Sequence, residues 1–265
     1  MAKRSLSGLS VIVTGASAGI GRELVLQLTS AGARCVATAR REEPLAALAE
    51  EVRRAAGNKP DPIEIVVGDV TDPAVRQAMR DRAVETFGGL DSVINNAGVG
   101  AFGRFDESNE DRLRQIMEVN FFAVAEMIRE SLPLLKQGQR SIIVNVGSIL
   151  SHRAIPRMNE YCCSKFALRA LSESLRVELK SVGIDVLLVS PGTTETDFYD
   201  QVIHGRGDVP WNKGKGVTAK AVAQATVRAM QRGKREIIPN RLGSMLVWAN
   251  QRVPSIVDRV MQKYA

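Results

Sequence analysis

Short runs rich in valine and isoleucine alternate along this chain with longer amphipathic stretches. Strand-like runs fall at 11–14, 34–39, 63–67, 91–94, 141–146, 184–189 and 236–238, and apolar residues recur at helical spacing over 22–31, 43–56, 73–87, 110–135, 159–182 and 219–232. A strand followed by a helix, repeated in this way, packs as a doubly wound parallel sheet of about seven strands with helices on both faces. Such a sheet uses most of 265 residues, so a single α/β domain is expected. No repeat of 20 to 50 residues (the solenoid range), low-complexity run or interdomain linker interrupts the pattern. One segment departs from it: 193–216 is long, contains glycine and carries Phe198, Tyr199 and Trp211, which reads as a mobile lid.

The other classes of protein are set aside by composition. With 45% apolar and 25% charged residues, disorder, collagen-like repeats and a disulfide-built mini-fold are excluded. No run reaches about 18 uncharged apolar residues, and Met1 to Ser7 lead directly into a strand-like run. The chain is therefore expected to be cytoplasmic, with neither a membrane span nor a secretory signal. Cys35, Cys162 and Cys163 lack metal-ligand spacing and have just His152 and His204 to help them, so no metal site is expected and the thiols are expected reduced. Cys162 and Cys163 read as small buried residues of a helix, and the two histidines as pocket-bordering residues, His204 in the lid.

The net charge of +7 is placed unevenly: residues 201–265 hold 12 basic and 3 acidic side chains, against 24 and 26 before them. In the tail, Leu242, Met245, Leu246, Ala249, Val253, Ile256, Val257 and Val260 form an apolar stripe interrupted at Pro254 and flanked by Arg241, Arg252, Arg259 and Lys263. A cationic amphipathic helix can make peripheral contact with a membrane surface; it can equally cover the substrate pocket or a neighbouring subunit. Nucleic-acid binding is disfavoured, because the tail contains no recognised module and no interleaved stacking aromatics.

Chemistry is concentrated at the ends of the strand-like runs. The first turn reads Thr14-Gly15-Ala16-Ser17-Ala18-Gly19-Ile20-Gly21. Glycines there allow a sharp turn, close approach of a pyrophosphate and tight helix packing, and the following helix offers its N-terminal amides to the anion. A dinucleotide is the natural ligand. Nineteen residues beyond Gly21 stand Arg40 and Arg41 where an acidic residue would bind the ribose hydroxyls of NAD(H). A guanidinium fork suits a 2′-phosphate, so NADP(H) is preferred, with NAD(H) as the alternative. Tyr161 and Lys165 stand one helical turn apart. A phenol of pKa about 10 exchanges protons near neutrality only when a neighbouring cation stabilises its phenolate, and Lys165 can supply that field.

With these motifs the chain resembles the classical short-chain dehydrogenase/reductases. The pattern also includes Asp69-Val70, Asn95-Asn96-Ala97-Gly98, Asn120, Ser148 and Pro191-Gly192, giving seven ordered motifs through about Pro239. The resemblance implies a Rossmann-type fold. Residues 1–240 would form the dinucleotide-binding and catalytic domain, including the lid at 193–216, with 241–265 as a basic tail of the same domain. It implies Tyr161 as general acid/base, Ser148 as the hydrogen-bond donor to the substrate oxygen, Lys165 on the nicotinamide ribose and Asn120 at a helix kink and water relay. Cofactor contacts would come from Gly15, Ser17, Ala18, Gly19, Ile20, Gly21, Arg40, Arg41, Asp69, Val70, Asn96, Ala97, Gly98, Tyr161, Lys165, Pro191, Gly192, Thr194 and Thr196. Ser148, Leu150 and Tyr161 would contact substrate, and Ile149, Met158, Phe198, Tyr199 and Trp211 make the pocket apolar. Many NADP(H)-preferring members carry a basic residue immediately before the second glycine, where this chain has Ala18, so the preference rests on Arg40 and Arg41. The activity implied is carbonyl–alcohol interconversion at CH–OH groups by a homodimer or homotetramer. The alternative is a non-catalytic NADP(H)-sensing scaffold, which would have no need of Asn120, Ser148, Tyr161 and Lys165 together.

Overall fold

The computed structural model describes residues 4–58, 60–138, 141–195, 202–203 and 216–264. In chain order its main elements begin with β1 (Ser10–Thr14), α1 (Gly19–Ser30), β2 (Arg34–Ala39), α2 (Glu42–Ala56), β3 (Ile63–Val67), α3 (Pro73–Phe87) and β4 (Ser92–Asn95). They continue with α4 (Glu110–Met117), α5 (Ala123–Leu135), β5 (Ile142–Val146), α6 (Asn159–Glu178), β6 (Asp185–Val189), β7 (Thr194–Glu195) and β8 (Val217–Thr218). The chain ends with α7 (Ala219–Gln231), β9 (Glu236–Ile237), α8 (Arg241–Arg252) and α9 (Pro254–Met261).

Seven strands form one sheet in the order β3-β2-β1-β4-β5-β6-β9, and every adjacent pair is parallel. Strand side chains alternate between its two faces. Val11 and Val13 of β1 point into a core built with Leu24 and Leu28 of α1, Leu45 and Leu48 of α2, and Val222 and Met230 of α7. Ile12 between them points into the opposite core, with Met79 of α3, Met127 of α5 and Leu168 of α6. Both faces are covered, which explains why the strands read as near-continuous apolar runs. Strand order reverses between β1 and β4, and a crevice opens at such a switch point beyond the carboxyl ends of the strands.

The stretch read as one helix over 110–135 is two α-helices joined by a π-helical turn at Glu118–Phe122 that contains Asn120. The ends of the 193–216 segment are fastened together, since β7 pairs with β8 and the Val217 amide donates to the Thr193 carbonyl at 3.0 Å. In the tail, Pro254 opens α9 rather than bending a continuous helix. Its buried residues are Gly243, Val247 and Val257, whereas Leu242, Met245, Ile256 and Val260 of the apolar stripe are exposed.

Candidate active site

The chain turns after β1 at Gly15, whose φ of +68° favours glycine. A Cβ on Gly15 would lie 2.8 Å from Ala97 Cα, and one on Gly21 would lie 2.3 Å from the Gly15 carbonyl oxygen. The turn can therefore close against α1 only without side chains. Asn96 fastens it from the end of β4: its Nδ2 donates to the carbonyls of Thr14 (2.9 Å) and Gly15 (3.1 Å). The Thr14 hydroxyl in turn accepts from the amides of Asn96 and Ala97, both at 3.0 Å. Helix α1 begins with no capping side chain and no acidic residue in its first turn, so its leading amides are left for an anion.

Above this turn lies a cavity of about 600 Å³. Arg40, Arg41, Asp69 and Val70 line one end, Ser17 to Ile20 and Asn96 to Gly98 the middle, and Ser148, Tyr161, Lys165, Pro191, Gly192 and Thr194 the other. Arg41 Nη2 donates to Ser17 Oγ at 3.4 Å, and Arg40 Nη1 stands 3.9 Å from Asp69 Oδ2. Asp69 Oδ1 accepts from both the amide and the hydroxyl of Thr71 (3.0 and 2.9 Å), shaping the turn that presents Val70. Arg76, buried on α3, braces that turn through the carbonyls of Val70 (3.0 Å) and Thr71 (2.9 Å). The cradle thus has the glycine clearance, unspent amides and guanidinium groups that a phosphorylated dinucleotide needs.

At the far end Tyr161 and Lys165 share the buried face of α6, only 7% and 4% exposed. Lys165 Nζ lies 5.6 Å from the centroid of the Tyr161 ring and donates to the Val146 carbonyl at the end of β5 (3.1 Å). Burial pushes the Lys165 pKa down to about 8, so at neutral pH it is still mostly an ammonium, in surroundings that screen its field weakly. Ser148 Oγ, in the cavity lining, accepts from the Leu150 amide at 3.1 Å, a bond that occupies a lone pair and leaves its O–H able to act as a donor. Asn120 is fully buried. Its Oδ1 accepts from the Val99 amide (2.9 Å), and its Nδ2 donates to the Val99 carbonyl (2.9 Å) and to Ser164 Oγ (3.0 Å). Ser164 donates onward to the Tyr161 carbonyl at 2.7 Å, so Asn120 holds the first turn of the helix that carries the tyrosine.

A family model described as short chain dehydrogenase matches residues 10–206. The chain belongs to the short-chain dehydrogenase family. Among its relatives, Dehydrogenase/reductase SDR family member 7B of Mus musculus is 29% identical, the match covering 99% of this chain and 83% of that one. A short chain dehydrogenase/reductase from Burkholderia phymatum, solved in complex with NAD, superposes with a TM-score of 0.85 at 27% identity over 96% of each chain. A short chain dehydrogenase from Burkholderia cenocepacia, solved in complex with NADP, gives 0.80 at 25% identity over 97% of this chain and 99% of that one. This short-chain dehydrogenase is thus an oxidoreductase on a Rossmann-type sheet.

Several sequence expectations change in detail. Gly21 does not line the cavity; it acts by clearance beneath it. Asn120 sits at a helix kink as expected, in the π-helical turn, and stands behind the cavity lining. His152 does not border the pocket: its Nε2 is 2.7 Å from Glu236 Oε1, and although burial opposes it, this contact helps hold the Glu236 carboxyl below the usual carboxylate range. Cys162 is buried, with its thiol raised to about 11 by burial, but Cys163 is exposed because it falls on the outer side of α6. Thr196, Phe198, Tyr199, His204 and Trp211 lie outside the described residues.

Sequence reading also missed several supporting residues. Asn95 Nδ2 donates to Asn145 Oδ1, and Asn145 Nδ2 to Ser172 Oγ, each at 2.9 Å, locking β4, β5 and α6 together. Buried Arg112 of α4 pairs with Glu160 Oε1 at 2.6 Å, and Ser108 donates to the same oxygen. Burial favours the neutral acid, yet these bonds hold the Glu160 carboxyl below its ordinary range. The signal available in the sequence was the polar residues placed inside apolar strand and helix patterns. On the substrate side Phe102, Ile155, Met158 and Val202, with Met261 of α9, pack around Tyr161. Ile149, Leu150, Leu242, Leu246 and Val260 add further apolar lining.

Proposed function

We propose that the protein is an NADP(H)-dependent oxidoreductase that interconverts a carbonyl and a secondary alcohol, with an apolar ketone, aldehyde, steroid-like or acyl-chain compound as substrate. The observation that carries the reading is that one cavity joins an uncapped helix N-terminus and two arginines at one end to Ser148, Tyr161 and Lys165 at the other. NADP(H) bound along that cavity supplies or accepts the hydride. Arg40, Arg41 and Ser17 would hold the 2′-phosphate, and the amides that open α1 the pyrophosphate. Asp69 and Val70 would border the adenine, with Pro191, Gly192 and Thr194 orienting the carboxamide.

The chain's own residues carry the proton. Ser148 donates a hydrogen bond to the carbonyl oxygen and holds it beside Tyr161. In reduction Tyr161 gives its phenolic proton to that oxygen as charge develops there; in oxidation it removes the proton from the alcohol. Lys165 stabilises the phenolate left behind, and Asn120 keeps the tyrosine-bearing turn in place through Ser164. The apolar side chains around Tyr161 exclude water and favour a substrate of low polarity.

Exposed Phe122 and Phe166, beside Asn120 and on α6 respectively, support a homo-oligomer formed through these helices. Oxidation of NADPH across a panel of apolar ketones and aldehydes tests the reading. Tyr161→Phe should lower kcat by about 10²–10⁴-fold, the span of general acid catalysis, with NADPH binding retained. Turnover that survives in Tyr161→Phe would refute the proton-transfer role, and failure to bind either nicotinamide dinucleotide would refute the reading as a whole.

A further inference from the structure

Helices α8 and α9 turn apolar side chains outward. Leu242 is 75% exposed, Met245 64%, Trp248 60% and Ile256 56%, with Val253 and Val260 also exposed. A folded chain rarely leaves so many large apolar groups on two consecutive helices in water without a use for them. At 3.6 residues per turn, Leu242, Met245 and Trp248 fall within an arc of about 120°, and Arg241 and Arg252 fall inside the same arc. Gly243 and Val247, which pack inward, lie on the opposite side. Val253, just before α9, and Ile256 and Val260 on it are exposed, with Arg259 on the same helix and Lys263 just beyond it. Among the described residues no carboxylate lies within ion-pair distance of Arg241, Arg252, Arg259 or Lys263, and the one acidic residue of α9, Asp258, is held by Arg153 at 2.6 Å. The face is thus apolar and cationic at once.

We propose that this face docks the protein on an anionic lipid bilayer. Charge selects the occupant. A second copy meeting the face across a two-fold axis would set the same arginines against one another, whereas anionic headgroups neutralise them while the apolar side chains enter the interfacial layer. Exposed Leu242 and Val260 also line the catalytic cavity, so the docked face borders its mouth. An apolar substrate dissolved in the bilayer then reaches Tyr161 without crossing water. This route rests on the carbonyl–alcohol reading above; docking itself does not. Among the described residues no helix is long and apolar enough to cross a membrane, and the docking proposed is peripheral.

The test uses the full chain and flotation with phosphatidylcholine vesicles, with and without phosphatidylserine. The wild type is expected to float with the anionic vesicles and to be released by salt. In a Trp211→Phe background Trp248 is the sole tryptophan, and its emission should shift to the blue on binding. Arg241→Gln/Arg252→Gln/Arg259→Gln should weaken partitioning by about a hundredfold, at about fivefold per charge. Met245→Glu/Trp248→Glu/Ile256→Glu, none of which lines the cavity, should abolish flotation, with circular dichroism and NADPH oxidation on a water-soluble carbonyl unchanged. The proposal is overturned if the wild type stays with the soluble fraction, or if the glutamate variant floats as well. It is equally overturned if that variant instead converts an oligomer to monomer by light scattering and lipid has no effect, which would make a second copy the occupant. Flotation in a chain that turns over no carbonyl would leave docking intact and remove the catalytic reading.

Discussion

Burying the Lys165 ammonium opposes folding even as it equips the site. The fall from an ordinary 10.5 to about 8 corresponds to roughly 3 kcal/mol by which the folded state disfavours the charged form. Because the unfolded chain holds the proton more tightly, the penalty is complete below pH 8 and fades as pH rises toward 10.5, where both states become neutral. Lys165→Met should therefore be more stable than the wild type at pH 7, by about 2 kcal/mol once an unpaired Val146 carbonyl is allowed for, while losing turnover. Urea unfolding from pH 7 to 10.5 checks this: the advantage should hold to about pH 8 and then shrink, and a variant less stable at pH 7 would show that the ammonium is not a burden. The sequence makes Tyr161 and Lys165 readable, because a helical turn of spacing fixes their common face. It cannot reveal that Ser148 accepts from Leu150 or that Asn96 spends its amide on the glycine turn, since those bonds depend on loop paths that one-dimensional spacing does not encode.

Most strands begin and end within a residue or two of the valine- and isoleucine-rich runs that place them, and the helices of the sheet layers were legible from apolar residues at helical spacing, although α3 and α6 bury charged and hydroxyl side chains on the same face. Two elements were not. Periodicity over 110–135 continues through the π-helical turn, because the bonds that stabilise Asn120 there come from Val99 and Ser164, distant in sequence. In the tail, helical spacing defines an apolar arc without saying which of its edges packs. Gly243 decides that: a Cβ on it would come within 2.9 Å of Ile149 Cγ2, so the helix rests on its small residue and the larger ones turn out. Between elements, the Arg112–Glu160 pair fixes α4 to the start of α6 beside Tyr161. Arg112→Met strands a buried carboxylate and should cost about 3–5 kcal/mol, whereas Arg112→Met/Glu160→Met should recover much of that loss because no charge is left unpaired. Thermal unfolding of both variants decides it; a double variant as unstable as the single would show that the pair's geometry, not its charge balance, holds the helices.

At the scale of the whole molecule, the cavity gathers residues that follow β1, β2, β3, β4, β5 and β6, together with α6 and the tail. A ligand filling it ties the two halves of the sheet and the C-terminal helices into one body, so cofactor choice should appear in global stability as well as in kinetics. A ligand that binds only the folded state at 100 times its Kd adds about 2.7 kcal/mol. For a chain of this size that raises Tm by about 5–10 °C, at 2–4 °C per kcal/mol. NADPH should produce a shift of this order at concentrations where NADH produces little, because Arg40 and Arg41 border the cavity end where a 2′-phosphate would lie. Arg40→Asp/Arg41→Asp should leave the Tm of the unliganded protein nearly unchanged, both positions being exposed, and should bring the NADPH shift down to that of NADH. Equal shifts by the two dinucleotides in the wild type would overturn the NADP(H) assignment while leaving the glycine turn and its dinucleotide intact. A shift by neither would mean that the cradle after β1 does not hold a nicotinamide dinucleotide at all.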